Sequence, residues 1–324
     1  MFAQRLFSFL LLWSIILALV WSQSDFFAVG LLLLIGVVGQ WEFYKLMKKA
    51  GFSVFKKTGL LFGVLSLAVC GPAWVLLWSM SPEMGDLQYA FDATSIDFAF
   101  DLMILFMIAL CFYKKEPRQA FLGVMLTWFG VLYVPCLLNA FLLLLSNPHF
   151  SWSAILYCIA VTKMADAGAY IAGSLFGRHP IAPAISPRKT WEGFIGSILF
   201  AYLTSWGLAW LSVISIFEKH FTPYLGLNGI VTTPIALHHS VYVWILPPLL
   251  AATGALGDLV ESMIKRTAEV KDSGRFIPGM GGALDLVDSL LFTAPMCYFV
   301  LSFLESFQRN GMMTELMQVF SSYI

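Results

Sequence analysis

The sequence predicts an all-α, polytopic membrane protein with about nine transmembrane helices. Of its 324 residues, 59% are hydrophobic and only 12% are charged, and its mean hydropathy is +0.81. A soluble domain carries about 25% charged residues, so this chain has too few charges to cover a surface that faces water. The net charge is zero, which gives no indication of nucleic-acid binding.

Apolar segments along the chain mark the predicted helices, because a span needs about 20 apolar residues. The candidate spans are residues 6–22, 26–44, 58–80, 99–113, 119–146, 152–177, 190–217, 241–263 and 284–308. The first resembles a secretory signal but lacks a clear small-residue cleavage site, so we interpret it as a retained helix. Pro135 predicts a kink in the long fifth segment.

The positions of lysine and arginine predict the orientation in the membrane. If nine spans are correct, the amino terminus with Arg5 and four strongly basic loops lie on one side. The basic residues of these loops are Lys45, Lys48, Lys49, Lys56, Lys57, Lys114, Lys115, Arg118, Arg178, Arg188, Lys189, Lys265, Arg266, Lys271 and Arg275. We therefore expect a cytoplasmic amino terminus, an outside carboxyl terminus, and a multi-pass protein of the cytoplasmic (inner) membrane.

Three segments follow from the distribution of polar residues. Residues 1–115 form amino-terminal helices that anchor the chain in the membrane, and residues 116–177 form the middle helices. Residues 178–324 form carboxyl-terminal helices and cytoplasmic loops, and they hold most of the residues that suit catalysis. For the amino-terminal segment the sequence indicates no role beyond insertion and packing.

Two ionisable residues lie inside the span 152–177. Lys163 and Asp166 are three positions apart, so they share one helix face and can pair. Ionisable groups inside a span are rare and usually face a cavity or the interior of the bundle. A buried structural ion pair is the alternative interpretation.

The loop that follows this span contains the sequence ISPRKTWEG. Ser186 and Pro187 predict a helix start, with serine as the N-cap and proline at the first helical position. Arg188 and Lys189 would then lie in the first turn, where a cation opposes the helix dipole. An anion bound nearby would explain their position, and a plain basic loop is the alternative.

The most informative stretch runs from residue 254 to residue 289. Asp258, Glu261, Ser262 and Lys265 are spaced to lie on one helix face. Turn-forming residues follow at 272–274 and 278–279. Glycines at 281 and 282 then allow the backbone to approach a ligand closely.

Asp285 and Asp288 share one face at the start of the last helix. A favourable interaction with the helix dipole explains one such acid. It does not explain the acids Asp258 and Glu261 on the preceding helix. Carboxylates without histidines or thiolates suit a hard cation such as Mg²⁺, which commonly shares its ligands with substrate phosphates.

Basic side chains near these acids can hold further phosphate oxygens. The chain has no GxxxxGK[ST] loop, so an ordinary P-loop nucleotide site is excluded. The residues together predict phosphate chemistry at the cytoplasmic membrane surface.

These residues also resemble a known family. The stretch S-M-I-K-R-x4-K-D-S-G-x2-I-P-G-x-G-G-x-L-D-x2-D, from Ser262 to Asp288, is similar to the signature of phosphatidate cytidylyltransferases. The segments DAGAYIAGSLFG and ISPRKTWEG resemble the middle region of that family, and the match covers residues 160 to 300 or so. Met280 stands where the family pattern often has histidine, and Leu286 stands where arginine is usual. The retained acids favour metal positioning over a histidine acid or base.

The resemblance implies that CTP and phosphatidate react to give CDP-diacylglycerol and pyrophosphate, with Mg²⁺ and a second cation as a further option. It implies membrane lipid as a partner, and a homodimer is a possible assembly. It also implies roles for individual residues. The expected metal ligands are Asp258, Asp285 and Asp288, and Lys265 is expected to act with them on the phosphates. The expected substrate-binding residues are Ser262, Arg266, Lys271, Asp272, Arg188, Lys189, Asp166 and Lys163, of which the last two would line the lipid-headgroup cavity.

Other functions stay open at this point. A CTP-dependent kinase of a polyprenyl or phytyl alcohol could use a similar cavity, but its acceptor hydroxyl would need a general base. An ion or solute transporter could use Lys163, Asp166 and Asp258 as a relay. An inactive relative that serves as a scaffold is the third alternative.

Overall fold

The structure is a computed structural model. It describes residues 13–19, 21–22, 24–70, 105–106, 109, 116–146, 151–213, 241–274 and 281–309. Its helices are α1 (Asp25–Lys49), α2 (Lys56–Cys70), α3 (Pro117–Val131), α4 (Leu137–Ser146), α5 (Ser151–Phe176), α6 (Trp191–Val213), α7 (Val241–Thr267) and α8 (Ala283–Arg309). A two-stranded hairpin, β1 (Pro180–Ala182) and β2 (Ser186–Thr190), joins α5 to α6.

Six helices of the described residues are long and apolar enough to cross a membrane. They are Asp25–Lys49, Pro117–Leu145, Ala154–Phe176, Trp191–Trp210, Val243–Thr267 and Ala283–Leu304. Each coincides with one predicted span, which confirms the helical, multi-pass class. The predicted spans 6–22, 58–80 and 99–113 lie partly outside the described residues, so the number nine and the orientation stay predictions.

The helix that contains Pro135 is continuous, but its hydrogen-bonding pattern changes there. Residues Leu132–Cys136 form a π-helical turn between α3 and α4. Proline has no backbone N–H and its ring clashes with the preceding turn, so a regular α-helix is disfavoured at this point. The sequence signal at Pro135 therefore marks a local change of helix type.

Helix α1 packs against helix α8, and α4 packs against the same helix. The shared core includes Phe43 and Tyr44 from α1 and Leu284 and Leu291 from α8, all fully buried. The hydroxyl of Tyr44 donates a hydrogen bond to the carbonyl of Thr127 (2.8 Å). Helices α1 and α8 thus belong to one helical body that is held together by apolar packing and by buried hydrogen bonds.

Helices α5 and α6 approach each other closely through glycines. A Cβ on Gly193 would lie 3.4 Å from the Cα of Gly173 and closer still to the carbonyl of Ala169. Small residues at such positions allow membrane helices to pack backbone against backbone. This packing places the hairpin at one end of α5 and α6.

The predicted helix start at Ser186 is wrong. Ser186 and Pro187 belong to the extended strand β2, and α6 begins at Trp191. Thr190 caps this helix, since its hydroxyl accepts a hydrogen bond from the N–H of Gly193 (3.2 Å). Pairing with β1 holds the preceding residues extended. Arg188 and Lys189 therefore lie on a strand, and the predicted opposition to a helix dipole does not arise.

Candidate active site

Three carboxylates from two neighbouring helices converge at one end of the bundle. Asp258 and Glu261 lie on one face of α7, and Asp288 lies in the second turn of α8. One oxygen from each of the three lies within 4.8 Å of the others. Glu261 is fully buried, whereas Asp258 and Asp288 are half-buried. Since α7 and α8 pack along each other, the three-residue spacing on α7 is enough to bring both its acids to α8.

Lysines from two elements contact this group. Lys265 of α7 pairs with Glu261 and, at 2.8 Å, with Asp285 Oδ1. Lys189 of β2 lies 2.8 Å from Asp258 Oδ2, an ion pair without a well-directed hydrogen bond. The hairpin thus carries a lysine across to α7, although it is not a helix start.

Lys163 of α5 connects the middle helix to α8. Its ammonium donates hydrogen bonds to the carbonyl of Leu286 (3.1 Å) and the hydroxyl of Ser289 (3.0 Å), and it pairs with Asp166 (3.4 Å). The hydroxyl of Ser289 in turn lies 2.9 Å from Asp166 Oδ2. The predicted pair therefore forms as part of a network that includes α8.

We call these charged residues the acid–lysine cluster. It consists of Asp166, Asp258, Glu261, Asp285, Asp288, Lys163, Lys189 and Lys265. Five carboxylates face three ammonium groups, an excess of two negative charges when all are ionised. Within the described residues Asp288 has no ion-pair partner. Buried charge is costly unless it is paired or bound to a metal, so a divalent cation suits the cluster.

Asp285 holds the start of α8. Its Oδ2 accepts hydrogen bonds from the N–H groups of Gly282 (2.7 Å) and Ser273 (2.9 Å). Asp285 is the third residue of α8, and Gly282 is its N-cap. A carboxylate that accepts the N–H of the N-cap residue from this position is one half of a capping box. Asp285 lies outside the group of three acids, but it shares Lys265 with Glu261.

The backbone before α8 requires glycine at one position. Gly281 has a φ of +101°, a conformation that side chains disfavour. A Cβ there would also collide with the carboxylate of Asp285. Gly281 therefore lets the chain turn directly over the residue that caps the helix.

The remaining predicted residues lie around the cluster. Ser262 is half-buried on α7. Arg266 is exposed, and its Nε donates to the carbonyl of Ile185 (3.3 Å) in the hairpin turn. Arg188, Lys271 and Asp272 are exposed. Met280 lies outside the described residues.

A largely apolar cavity of about 240 Å³ reaches the cluster from inside the bundle. Its two charged lining residues are Lys163 and Asp285. Its apolar lining residues are Trp13, Ile15, Ile16, Leu19, Ala28, Leu31, Leu32, Ile35, Leu138, Phe141, Trp152, Ile155, Ile159, Leu286, Val287 and Leu290. The cavity therefore has the two-sided character of a lipid: apolar along its walls and charged at one end.

Three polar residues near the cluster were not assigned a site role from the sequence. Glu261 lies on the same helix face as Asp258, a signal that was already visible. Ser289 follows Asp288 directly and could have been inferred only from the position of α5. Glu42 of α1 is buried against the start of α8, and its distance along the chain left no sequence signal.

The family model described as "Cytidylyltransferase family" matches residues 3–304 of this chain. The chain is similar to the phosphatidate cytidylyltransferase of Rickettsia bellii, with 31% identity over 247 residues, 76% of this chain and 92% of the relative. It is similar to that of Mycobacterium bovis, with 35% identity over 192 residues, 58% of this chain and 54% of the relative. The chain thus spans about half the length of the mycobacterial relative.

Proposed function

Because the chain belongs to the cytidylyltransferase family, we propose that it transfers a cytidylyl group from CTP to phosphatidate. The products are CDP-diacylglycerol and pyrophosphate. The observation that carries this proposal is the position of the acid–lysine cluster at the charged end of an apolar cavity. Such a site can hold a phosphorylated lipid and a nucleotide triphosphate side by side.

Asp258, Glu261 and Asp288 would hold a divalent cation, and Mg²⁺ fits their all-oxygen donor set. Asp258 and Asp288 are also two of the three metal ligands that the family resemblance implies. Asp285, the third of these acids, lies outside the group but shares Lys265 with Glu261. A bound cation neutralises phosphate charge and so reduces the repulsion between the two anionic substrates.

The lysines of the cluster are the proposed phosphate-binding groups. Lys265 and Lys189 pair with carboxylates now, and phosphate oxygens offer them an alternative anionic partner. Arg266, Arg188 and Lys271 are exposed close to the hairpin and the end of α7, where they would contact the outer phosphates. Ser262 would donate a hydrogen bond to a phosphate oxygen, and Asp272 would complete the rim of the site.

Phosphatidate would enter from the bilayer side. Lys163 would bind its phosphate, and Asp166 and Ser289 would orient the ammonium group. The apolar cavity would receive part of an acyl chain, since both are apolar and no water-exposed path is needed. The rest of the acyl chains would pass sideways between helices into the bilayer.

The proposed reaction is an in-line displacement. A phosphate oxygen of phosphatidate forms a bond to the α-phosphorus of CTP, while the bond from that phosphorus to the pyrophosphate oxygen breaks. The attacking phosphate is already anionic, so no side chain has to remove a proton. The work of the site is to position two anions and to stabilise the departing pyrophosphate.

The membrane arrangement belongs to the same proposal. We infer nine spans, a cytoplasmic amino terminus, an outside carboxyl terminus and residence in the inner membrane. The division into residues 1–115, 116–177 and 178–324 and the homodimer also remain proposals. The orientation follows from the basic loops and puts the site on the side where CTP is available.

Product identity tests the function. Purified protein is incubated with Mg²⁺, either phosphatidate or an isoprenoid alcohol, and CTP that is radiolabelled in parallel reactions at the α- or the γ-phosphate. We expect labelled CDP-diacylglycerol with phosphatidate and no phosphorylated alcohol. A phosphorylated alcohol would instead support the lipid kinase, and CTP-independent solute flux in vesicles without any lipid product would support a transporter.

A further inference from the structure

A buried glutamate of the amino-terminal helix reaches the proposed active site. Glu42 lies on α1, within the predicted span 26–44, and is only 2% exposed. An ionisable group in such a place is costly and usually has a function. Among the described residues Glu42 has no lysine or arginine partner, so its carboxylate is stabilised by hydrogen bonds.

Those hydrogen bonds come from both ends of the glycine-rich loop before α8. Glu42 Oε2 accepts one from the N–H of Leu284 (2.9 Å) and one from the hydroxyl of Ser273 (3.1 Å). The same hydroxyl lies 2.9 Å from Asp285 Oδ2. The hydroxyl of Ser273 therefore links Glu42 to Asp285, which pairs with Lys265.

The glycines of this loop leave room for the glutamate. A Cβ on Gly282 would collide with Glu42 Oε2, and a Cβ on Gly274 would collide with Oε1. Gly282 also precedes the first residue of α8 and has no side chain that could cap the helix. Glu42 supplies the missing acceptor from another helix, because it binds the N–H of the second helical residue.

We propose that Glu42 is a positioning residue of the active site, which fixes Ser273, the start of α8 and, through them, the Asp285–Lys265 pair. This inference rests on the proposed function for the reaction that the pair serves. It gives the amino-terminal segment a role beyond insertion and packing, because α1 then completes the geometry of a site built on α7 and α8.

The competing explanation is that Glu42 only stabilises the fold. Gln40 provides the matched control, since it lies on the same helix and is equally buried at 1% exposure. Its side chain donates to the hydroxyl of Tyr44 and the carbonyl of Gly59, both at 2.9 Å. It therefore anchors α1 to α2, and among the described residues it makes no hydrogen bond to the loop.

Three substitutions distinguish the effect of the position of the Glu42 carboxylate from the effects of its charge and of the stability of the fold. Glu42→Gln keeps the length and an acceptor oxygen, Glu42→Asp keeps the charge but is one methylene shorter, and Gln40→Leu removes polar anchoring elsewhere on α1. Each variant is measured for its Tm, for its kcat and KM for CTP, and for its thermal stabilisation by Mg²⁺ and CTP without lipid.

We expect Glu42→Gln to stay within about threefold of wild-type kcat/KM for CTP, and Glu42→Asp to lose about tenfold or more per folded molecule. Glu42→Asp should also lose most of its stabilisation by Mg²⁺ and CTP. Gln40→Leu should lower Tm but keep both readouts. The proposal is overturned if Glu42→Asp behaves as wild type, if Glu42→Gln is the less active of the two, or if Gln40→Leu loses as much kcat/KM as Glu42→Asp.

Thermal stabilisation by Mg²⁺ and CTP distinguishes a failure of this proposal from a failure of the proposed function. Wild-type protein that is stabilised by Mg²⁺ and CTP but makes no lipid product would contradict the proposed reaction alone. The order of the variants in the stabilisation assay would still decide the role of Glu42. If Glu42→Asp does not fold, Gly282→Ala places a methyl group against the same carboxylate and against Ser273 Oγ, and it should reproduce the loss.

Discussion

Lys265 and Asp285 lie on different helices and meet at 2.8 Å. Lys265 also pairs with Glu261, one turn before it on α7, while Asp285 caps the start of α8. The pair therefore joins the end of one membrane helix to the beginning of the next. The acids of α7 and α8 in the cluster lie within one or two turns of this contact, so its disruption should affect the whole site.

Replacement of Asp285 by asparagine is the first test of that contact. The substituted side chain would lose the charge that pairs with Lys265 and one of the acceptors at the start of α8. We expect Asp285→Asn to lower product formation by about a hundredfold or more, with the protein still inserted and helical. Glu269→Gln changes an exposed acid just beyond α7 and should be neutral. Near-normal turnover of the Asp285 variant would refute its role.

Glu261 should influence the requirement for metal. Its carboxylate belongs to the group of three acids, so Glu261→Gln removes one charge without changing size. We expect the Mg²⁺ concentration for half-maximal activity to rise by about tenfold or more. The measurement is a Mg²⁺ titration of the initial rate at saturating CTP and phosphatidate. An unchanged midpoint with a lower maximal rate would mean that Glu261 only holds Lys265.

Lys163 should discriminate between the two substrates. It lines the cavity, whereas Lys189 pairs with Asp258 on the hairpin side. We expect Lys163→Met to raise KM for phosphatidate by about tenfold with little change in KM for CTP. Lys189→Met should instead raise KM for CTP, with little change in KM for phosphatidate. Rates are compared per folded molecule, because loss of one partner from these half-buried ion pairs leaves the other charge unpaired and lowers the stability of the fold. Equal effects of both variants on both KM values would contradict the assignment.

The cavity itself can be filled. Ala28 lies in its wall and is 5% exposed. A phenylalanine there should reduce turnover of long-chain phosphatidate more than that of a short-chain analogue, because an acyl chain and the new ring compete for the same space. Leu199→Phe, on the exposed surface of α6, is the control. Equal loss with both chain lengths would indicate a packing defect in place of an occupied lipid site.

The sequence predicted the features that depend on local pattern. Hydropathy over a window of about 20 residues decides where membrane helices lie, and six of the predicted spans appear among the described residues. The facing positions of Asp258 and Asp288 were predictable as well, because helical periodicity puts each on a definite face. Their shared position then follows once α7 and α8 are packed as neighbours.

Features that depend on a distant partner were not predictable. The serine–proline signal at Ser186 is local, and pairing of β2 with β1 overrides it. Glu42 and Leu284 are separated by 242 positions, and no periodicity relates them. The orientation of Asp285 was partly predictable. Asp285 follows Gly282 by three residues, which is the spacing of a capping box, and this spacing could have been recognised in the sequence.

We infer that carboxylates of α7 and α8 hold a divalent cation needed for cytidylyl transfer. The most direct measurement is formation of labelled CDP-diacylglycerol by wild type and by Asp288→Asn over a range of Mg²⁺ concentrations, each with and without EDTA. We predict product from the wild type that disappears with EDTA. At the Mg²⁺ concentration that half-saturates the wild type, the folded variant should form about a hundredfold less product, and its Mg²⁺ midpoint should be higher. Product that persists in EDTA, or an Asp288 variant with the wild-type Mg²⁺ response, would contradict the claim.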